Sequence, residues 1–209
     1  MTPFTTHTGI AAPLRRINID TDAIIPSREM KTVGKRGLAP GLFAGWRYLD
    51  AQRTPNPDFV LNQPAYAGTT ILLGGANFGC GSSREHAVWA LAEFGIRCII
   101  APSFGSIFQG NCVRNGILPV VLDDAAVAAL AEQVSADPQS RPICVDLREQ
   151  CVRLSDALTY PFDIAAGPRQ LLLEGLDGIG LTLKHADEIS AFMKQDQQQR
   201  PWAYPEPSA

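Results

Sequence analysis

The 209-residue chain carries little that would cross-link it, bind metal, or hold it to a membrane or a polyanion. Its five cysteines (Cys80, Cys98, Cys112, Cys144 and Cys151) are odd in number and form no Cys-x-x-Cys pair. That pattern argues against a disulfide framework, points to a reducing cytoplasm, and leaves no ligand set for an iron–sulfur cluster held by this chain alone. There are three histidines, and His7 and His185 have no clustered ligand partners, so no metal site is expected. No apolar run approaches the ~20 residues that span a bilayer. Arg15 and Arg16 follow the weakly apolar Ile10–Leu14 segment, the reverse of a signal peptide's order. With 18 Lys and Arg against 21 Asp and Glu, and no basic block, the net charge of −3 gives no reason to expect a nucleic-acid partner. Internal repeats are missing too. What remains is enough chain for one good core, expected as a single domain over residues 1–196. Residues 197–209, with three prolines and little apolar periodicity, are expected to form a mobile tail.

Against that sparse background one stretch stands out, from Gly74 to Ala87. The β-branched apolar run Thr69-Thr70-Ile71-Leu72-Leu73 before it predicts a buried strand. After it, Ala87, Ala90, Leu91 and Phe94 recur at helical spacing and Gly95 supplies a stop. A glycine loop between strand and helix start, with Arg84 beside it, places bare N–H groups and a positive dipole end together: an anion site. Two other glycine-loop motifs do not fit. Gly81 precedes Ser82 where a phosphate-binding P-loop needs Lys, and Arg84 stands where the dinucleotide fingerprint needs its third glycine. A capping box, Ser82 with Glu85, is the plainer alternative. Arg84 argues for function, because a solvated cation at a positive helix end is electrostatically unfavourable.

Elsewhere the texture divides the chain. Leu14–Ile19 suggests a strand, and Asp20-Thr21-Asp22 offers capping or turn side chains. Met30–Leu42 is rich in glycine and in Lys31, Lys35 and Arg36, which predicts a flexible basic loop. Phe43–Leu49 predicts a short helix anchored by Phe43, Trp46 and Tyr48, followed by a surface linker over Gln52–Pro57. From Ala67 to Val134 strands and helices alternate, with strands at Arg97–Ala101 and Ile117–Leu122 and helices at Phe104–Asn115 and Asp123–Val134. Such βαβ units imply a parallel sheet with ligands at the strand carboxyl ends. Alternating apolar residues over Ile143–Leu154 predict a hairpin, and helices are expected between Pro168 and Gly175 and over His185–Gln195.

The run Asn77-Phe78-Gly79-Cys80-Gly81-Ser82-Ser83-Arg84-Glu85-His86-Ala87 strongly resembles the signature of the aconitase-like swivelling-domain family, most of all its isopropylmalate isomerase small subunits. The likeness extends through Asn18-Ile19-Asp20-Thr21-Asp22-Ala23-Ile24-Ile25-Pro26, Asn56-Pro57-Asp58-Phe59-Val60-Leu61-Asn62 and Ala101-Pro102-Ser103-Phe104. It ends with Gly175-Leu176-Asp177 and Ile179-Gly180-Leu181-Thr182-Leu183. This resemblance implies an α/β swivelling domain of β/β/α layers. It implies a hydro-lyase reaction: dehydration and rehydration of a β-hydroxy dicarboxylate, isomerising 2- and 3-isopropylmalate in leucine biosynthesis. The chain would act only with a large subunit, as a heterodimer or higher complex, and that partner would bring the [4Fe–4S] cluster. Alternatives are a paralogous hydratase acting on citraconate or 2-methylmalate, and a non-catalytic anion-binding cap.

By the same resemblance Ser82 is the base, and Ser83 and Arg84 bind a substrate carboxylate. The segment carrying Arg28, Met30 and Thr32 closes over the substrate's variable group. Gly79, Cys80 and Gly81 supply loop N–H groups that would stabilise an alkoxide or oxyanion. His86 is expected to orient the loop through a hydrogen bond.

Overall fold

The computed structural model describes residues 1–31, 34–81, 84–155 and 158–204. The chain packs as two compact units, Met1–Gly175 and Leu176–Ala209. The first contains, in order, β1 (Thr6–Leu14), α1 (Thr21–Ile24), α2 (Ala44–Arg47), β2 (Thr69–Gly74), α3 (Glu85–Phe94), β3 (Cys98–Ala101), α4 (Ser106–Arg114) and β4 (Leu118–Val121). It continues with α5 (Asp124–Ala136), β5 (Ile143–Asp146), β6 (Cys151–Ser155), β7 (Leu158–Pro161) and α6 (Ala166–Glu174). The second contains α7 (Gly178–Leu183) and α8 (Ala186–Gln199).

Seven strands form a sheet in the order β4-β3-β2-β1-β5-β6-β7. The β1–β2, β2–β3 and β3–β4 pairs are parallel, as the alternating pattern requires. The β1–β5, β5–β6 and β6–β7 pairs are antiparallel. Strand β1 belongs to both halves: Thr6–Gly9 pairs with β5, then a register shift at Ile10/Ala11 hands Ala11–Leu14 to β2. This division gives the β/β/α layering that the resemblance implies.

Strand periodicity then sorts the core. Ile71 and Leu73 of β2 and Cys98 and Ile100 of β3 join Val127, Leu130 and Val134 of α5 and Ile143, Val145 and Val152 of the antiparallel half. Leu72, Ile99 and Ala101 face the other way, onto Ala87, Val88 and Leu91 of α3 with Ile24, Phe43, Phe78 and Phe108. Cys98 and Cys112 are fully buried, and burial pushes both thiols well above their usual range; they are core filler. Gly95, in the left-handed region at φ 110°, ends α3, and Asp123 caps α5 by accepting the Ala126 N–H at 2.6 Å.

Several elements depart from expectation. The first strand lies at Thr6–Leu14, before the expected Leu14–Ile19, because Asn18 takes φ 54° and breaks extension there. Strand β7 and helix α7 were not legible: one has four residues and ends on Pro161, the other carries two glycines and starts from an Asp177 cap. The segment expected as a flexible basic loop is pinned at its far end. Glu93 accepts the N–H groups of Gly37 (2.7 Å), Leu38 (2.5 Å) and Ala39 (2.8 Å), which hold its carboxyl below the ordinary carboxylate range. Thr32 and Val33 lie outside the described residues.

In the second unit, the boundary expected at residue 196 falls inside α8. Asp196 there accepts Arg200 Nε (2.7 Å), Arg200 Nη2 (2.8 Å) and the Tyr204 hydroxyl (2.8 Å), so an ordered turn continues the helix through Tyr204. Ile189, Phe192 and Met193 of α8 are exposed.

His7, half-buried in β1 against Thr70 Oγ1 (2.8 Å), has a pKa lowered by burial and then by the Arg97 charge. Its neutral form is therefore favoured by folding. The unfolded chain binds the extra proton first, so this contribution is complete above the ordinary imidazole pKa of about 6.5 and fades as pH falls toward the lowered folded value. Thermal melts between pH 7.5 and 5.5 should show stability dropping with pH, and His7→Gln should flatten that slope. An equal slope in the variant would remove His7 from the pH dependence.

Candidate active site

Three loops leave the carboxyl ends of β1, β2 and β3 and are laced together by their backbones. Asn18 N–H donates to the Ala76 carbonyl (2.9 Å), Gly79 N–H to Ile19 (2.7 Å) and Thr21 N–H to Cys80 (3.1 Å). The third loop joins through Phe78 N–H to Ser103 (3.0 Å) and Gly105 N–H to Phe78 (2.9 Å). Side chains reinforce the lacing: Asn77 N–H donates to Ser103 Oγ, and Asn77 Nδ2 to Asn18 Oδ1, both at 2.8 Å. The loops that follow three separate strands are therefore one assembly.

Glycine is required at its centre. Gly79 has φ 72°, and a Cβ there would lie 2.1 Å from the Phe108 ring. A Cβ on Gly105 would lie 2.6 Å from the Gly79 carbonyl oxygen. The close approach opens a cleft of about 220 Å³ lined by Asn77, Gly79, Cys80, Gly81, Ser106 and Ile107. Ser106 is the first residue of α4, so the amino-terminal dipole of α4 reaches this cleft as well. An anion would meet the Cys80–Gly81 backbone and the start of a helix, since the Gly79 and Gly105 N–H groups are already given to the Ile19 and Phe78 carbonyls.

Arg84 stands at the edge of that loop, immediately before α3. Its Nη1 donates to Asp22 Oδ1, and its side chain is 27 % exposed. Asp22 Oδ1 also accepts Ser27 Oγ at 3.4 Å. Ser27 opens the 3₁₀ turn Ser27–Glu29 that carries Arg28, so Asp22 ties Arg84 to the segment expected to meet the substrate. Arg28 is exposed, with Nε 3.6 Å from Glu29 Oε1, and Met30 packs half-buried against the core. Gly79, Cys80 and Gly81 line the cleft. Ser82, Ser83 and Thr32 lie outside the described residues.

The capping-box alternative turns on Ser82, which lies outside the described residues. Helix α3 starts at Glu85 with Arg84 at the N-cap position. The Glu85 carboxylate accepts Asn115 Nδ2 at 2.8 Å, and Asn115 Oδ1 accepts Trp89 Nε1 at 3.1 Å. His86, expected to orient the loop by a hydrogen bond, has its ring 4.7 Å from that of Trp89. Asp22 was missed as a site residue because its side chain suits a turn equally well; the available signal was a second carboxylate next to the Asp20 cap, free to meet a remote arginine. Among the described residues no group of three or more His, Cys, Asp or Glu could hold a metal ion, and the cysteines sit on different elements, so they do not fit an iron–sulfur cluster.

A parallel half-sheet extended by an antiparallel one, with a glycine-built loop at its carboxyl end, defines the class of the aconitase C-terminal domain, whose family description matches residues 1–125. A second description, that of the C-terminal domain of 3-isopropylmalate dehydratase small subunits, matches residues 179–206. The chain belongs to the 3-isopropylmalate dehydratase small-subunit family. It is 62 % identical over 205 residues to the 3-isopropylmalate dehydratase small subunit of Cupriavidus necator, covering 98 % of this chain and 99 % of that one. It is 49 % identical over 210 residues to that of Methylibium petroleiphilum, with 97 % of each chain covered. A crystal structure of 3-isopropylmalate dehydratase from Methanocaldococcus jannaschii superposes with a TM-score of 0.63 at 26 % identity, covering 90 % of this chain and 99 % of that one.

Proposed function

We propose that this chain is the small subunit of a heteromeric hydro-lyase of the cytoplasm that interconverts 2- and 3-isopropylmalate in leucine biosynthesis. The observation that carries this reading is the glycine-built cleft beyond the strand carboxyl ends, followed three residues after Gly81 by Arg84, which Asp22 holds beside the Arg28 turn. The small-subunit names of the relatives supply the partner, a large subunit. That subunit would hold the [4Fe–4S] cluster, whose open iron supplies the Lewis acidity that hydroxide departure needs.

The chain's own residues then have distinct tasks. Ser82 Oγ, as alkoxide, takes the proton from the carbon beside a substrate carboxylate. The C–H electron pair becomes the C=C bond, and hydroxide leaves the neighbouring carbon. Returning hydroxide to the carbon that lost its proton, and the Ser82 proton to the carbon that lost hydroxide, completes the isomerisation and leaves Ser82 as it began. Loop N–H groups of Cys80 and Gly81 and the helix dipole offset the cost of an alkoxide at neutral pH, while the Gly79 N–H, given to the Ile19 carbonyl, holds the loop in place. Arg84 grips one carboxylate with a planar fork, Ser83 supports it, and Arg28, Met30 and Thr32 meet the rest of the substrate. His86 steadies the first turn of α3.

The isolated chain should not turn over 3-isopropylmalate, and anaerobic mixing with a cluster-loaded large subunit should generate turnover. Activity is read from the ultraviolet absorbance of the unsaturated intermediate. Robust turnover by the purified chain alone would defeat the two-subunit reading.

A further inference from the structure

We propose that Arg53 is a positioning residue for the substrate-binding arginine Arg28: it occupies the Glu29 carboxylate, so that Arg28 remains available to a substrate carboxylate. This rests on the small-subunit reading above. Glu29 sits between two cations. Arg53 Nη2 donates to Glu29 Oε2, while Arg28 Nε approaches Oε1 only to 3.6 Å, too long for a good hydrogen bond. The Glu29 side chain is 12 % exposed and that of Arg28 is 68 % exposed. A nearly buried carboxylate takes whichever guanidinium is in reach, and here Arg53 has taken it.

Arg53 is built to do so. It holds φ 64°, a costly backbone for a non-glycine residue, inside a turn fixed by Asp50, which accepts Thr54 N–H at 2.9 Å. Its Nη1 donates to the Pro40 carbonyl (3.0 Å), and its guanidinium lies 5.1 Å from the Tyr48 ring centroid. Tyr48 in turn donates its hydroxyl to the same carbonyl at 3.2 Å. Across from it Glu29 is backed by Gly41, where a Cβ would lie 2.7 Å from the Glu29 Cβ. Arg28, Glu29 and Arg53 border one cleft of about 730 Å³, and the turn bearing Arg28 is held at its other end by Ser27 on Asp22, the partner of Arg84. With Arg53 removed, Glu29 would draw Arg28 down onto itself and away from the cleft.

The test compares Arg53→Met, Glu29→Gln and the double variant in the assembled complex. Arg53→Met should raise KM for 3-isopropylmalate about tenfold, the size of one charge-assisted contact, with kcat changed far less. Glu29→Gln should change KM little, because Arg28 stays free. The double variant should recover most of the affinity lost in Arg53→Met, a rescue that a merely structural Arg53 would not show. Arg53→Met without effect on KM, or a double variant as impaired as Arg53→Met, overturns the proposal. A second readout is independent of activity: the Arg28 Nε–H exchange rate measured by NMR in the isolated, folded chain. Exchange should slow in Arg53→Met and return to the wild-type rate in the double variant; an unchanged rate in Arg53→Met also overturns it. Failure of the wild-type complex to act on 3-isopropylmalate would instead count against the proposed function, and the exchange measurement would still decide the Arg53 role.

Discussion

Ser82→Ala in the assembled complex is expected to abolish nearly all turnover, by about 10²–10⁴-fold or more, the usual worth of a positioned base. A melting scan accompanies the assay, because a helix cap lost with Ser82 would cost about 1 kcal/mol. Helix α3 begins at Glu85 with Arg84 at the N-cap position, and its first turn is tied by Glu85 to Asn115 at 2.8 Å. Asp123→Ala sets the scale for a real cap, because Asp123 accepts Ala126 N–H at 2.6 Å and its removal should show a loss of about 1 kcal/mol. Activity and melting are thus separable at this position. A folded Ser82→Ala complex that still turns over would remove Ser82 as the base and leave the cleft as an anion cradle only.

The parallel half of the fold was legible because its signals are local. Buried β-branched runs marked β2, β3 and β4, and Gly95 and Asp123 marked helix ends where the structure has them. The turn of the glycine loop was legible for the same reason: Gly79 and Gly81 announce backbone that other residues resist. What escaped were pairings between distant positions that leave no periodic trace. Arg84 finds Asp22 across 62 residues, and Glu93 reaches back to the Gly37–Ala39 backbone, 54 to 56 residues earlier. The Glu85 carboxylate likewise meets Asn115, 30 residues on. The shared strand β1 was misplaced because its division between β5 and β2 depends on partners far along the chain.

Arg84→Lys should lower kcat and raise KM together, by about 10² in kcat/KM, because misplacement of a reacting group by about 1 Å costs that much. Lysine keeps the charge but loses the planar fork that matches a carboxylate. Asp22 makes the expectation sharper. Its carboxylate engages Arg84 through Nη1, and a guanidinium has five N–H donors, so further donors remain for a substrate carboxylate. Asp22→Asn keeps the size and loses the charge, and it should raise KM by several-fold while Arg84 wanders. If Asp22 acts only through Arg84, the double variant should be no worse than Arg84→Lys alone, since interacting residues are non-additive. An opposite sign would be decisive. A lower KM in Asp22→Asn would mean that Asp22 competes with the substrate carboxylate for Arg84, making the ion pair a latch that the substrate must open.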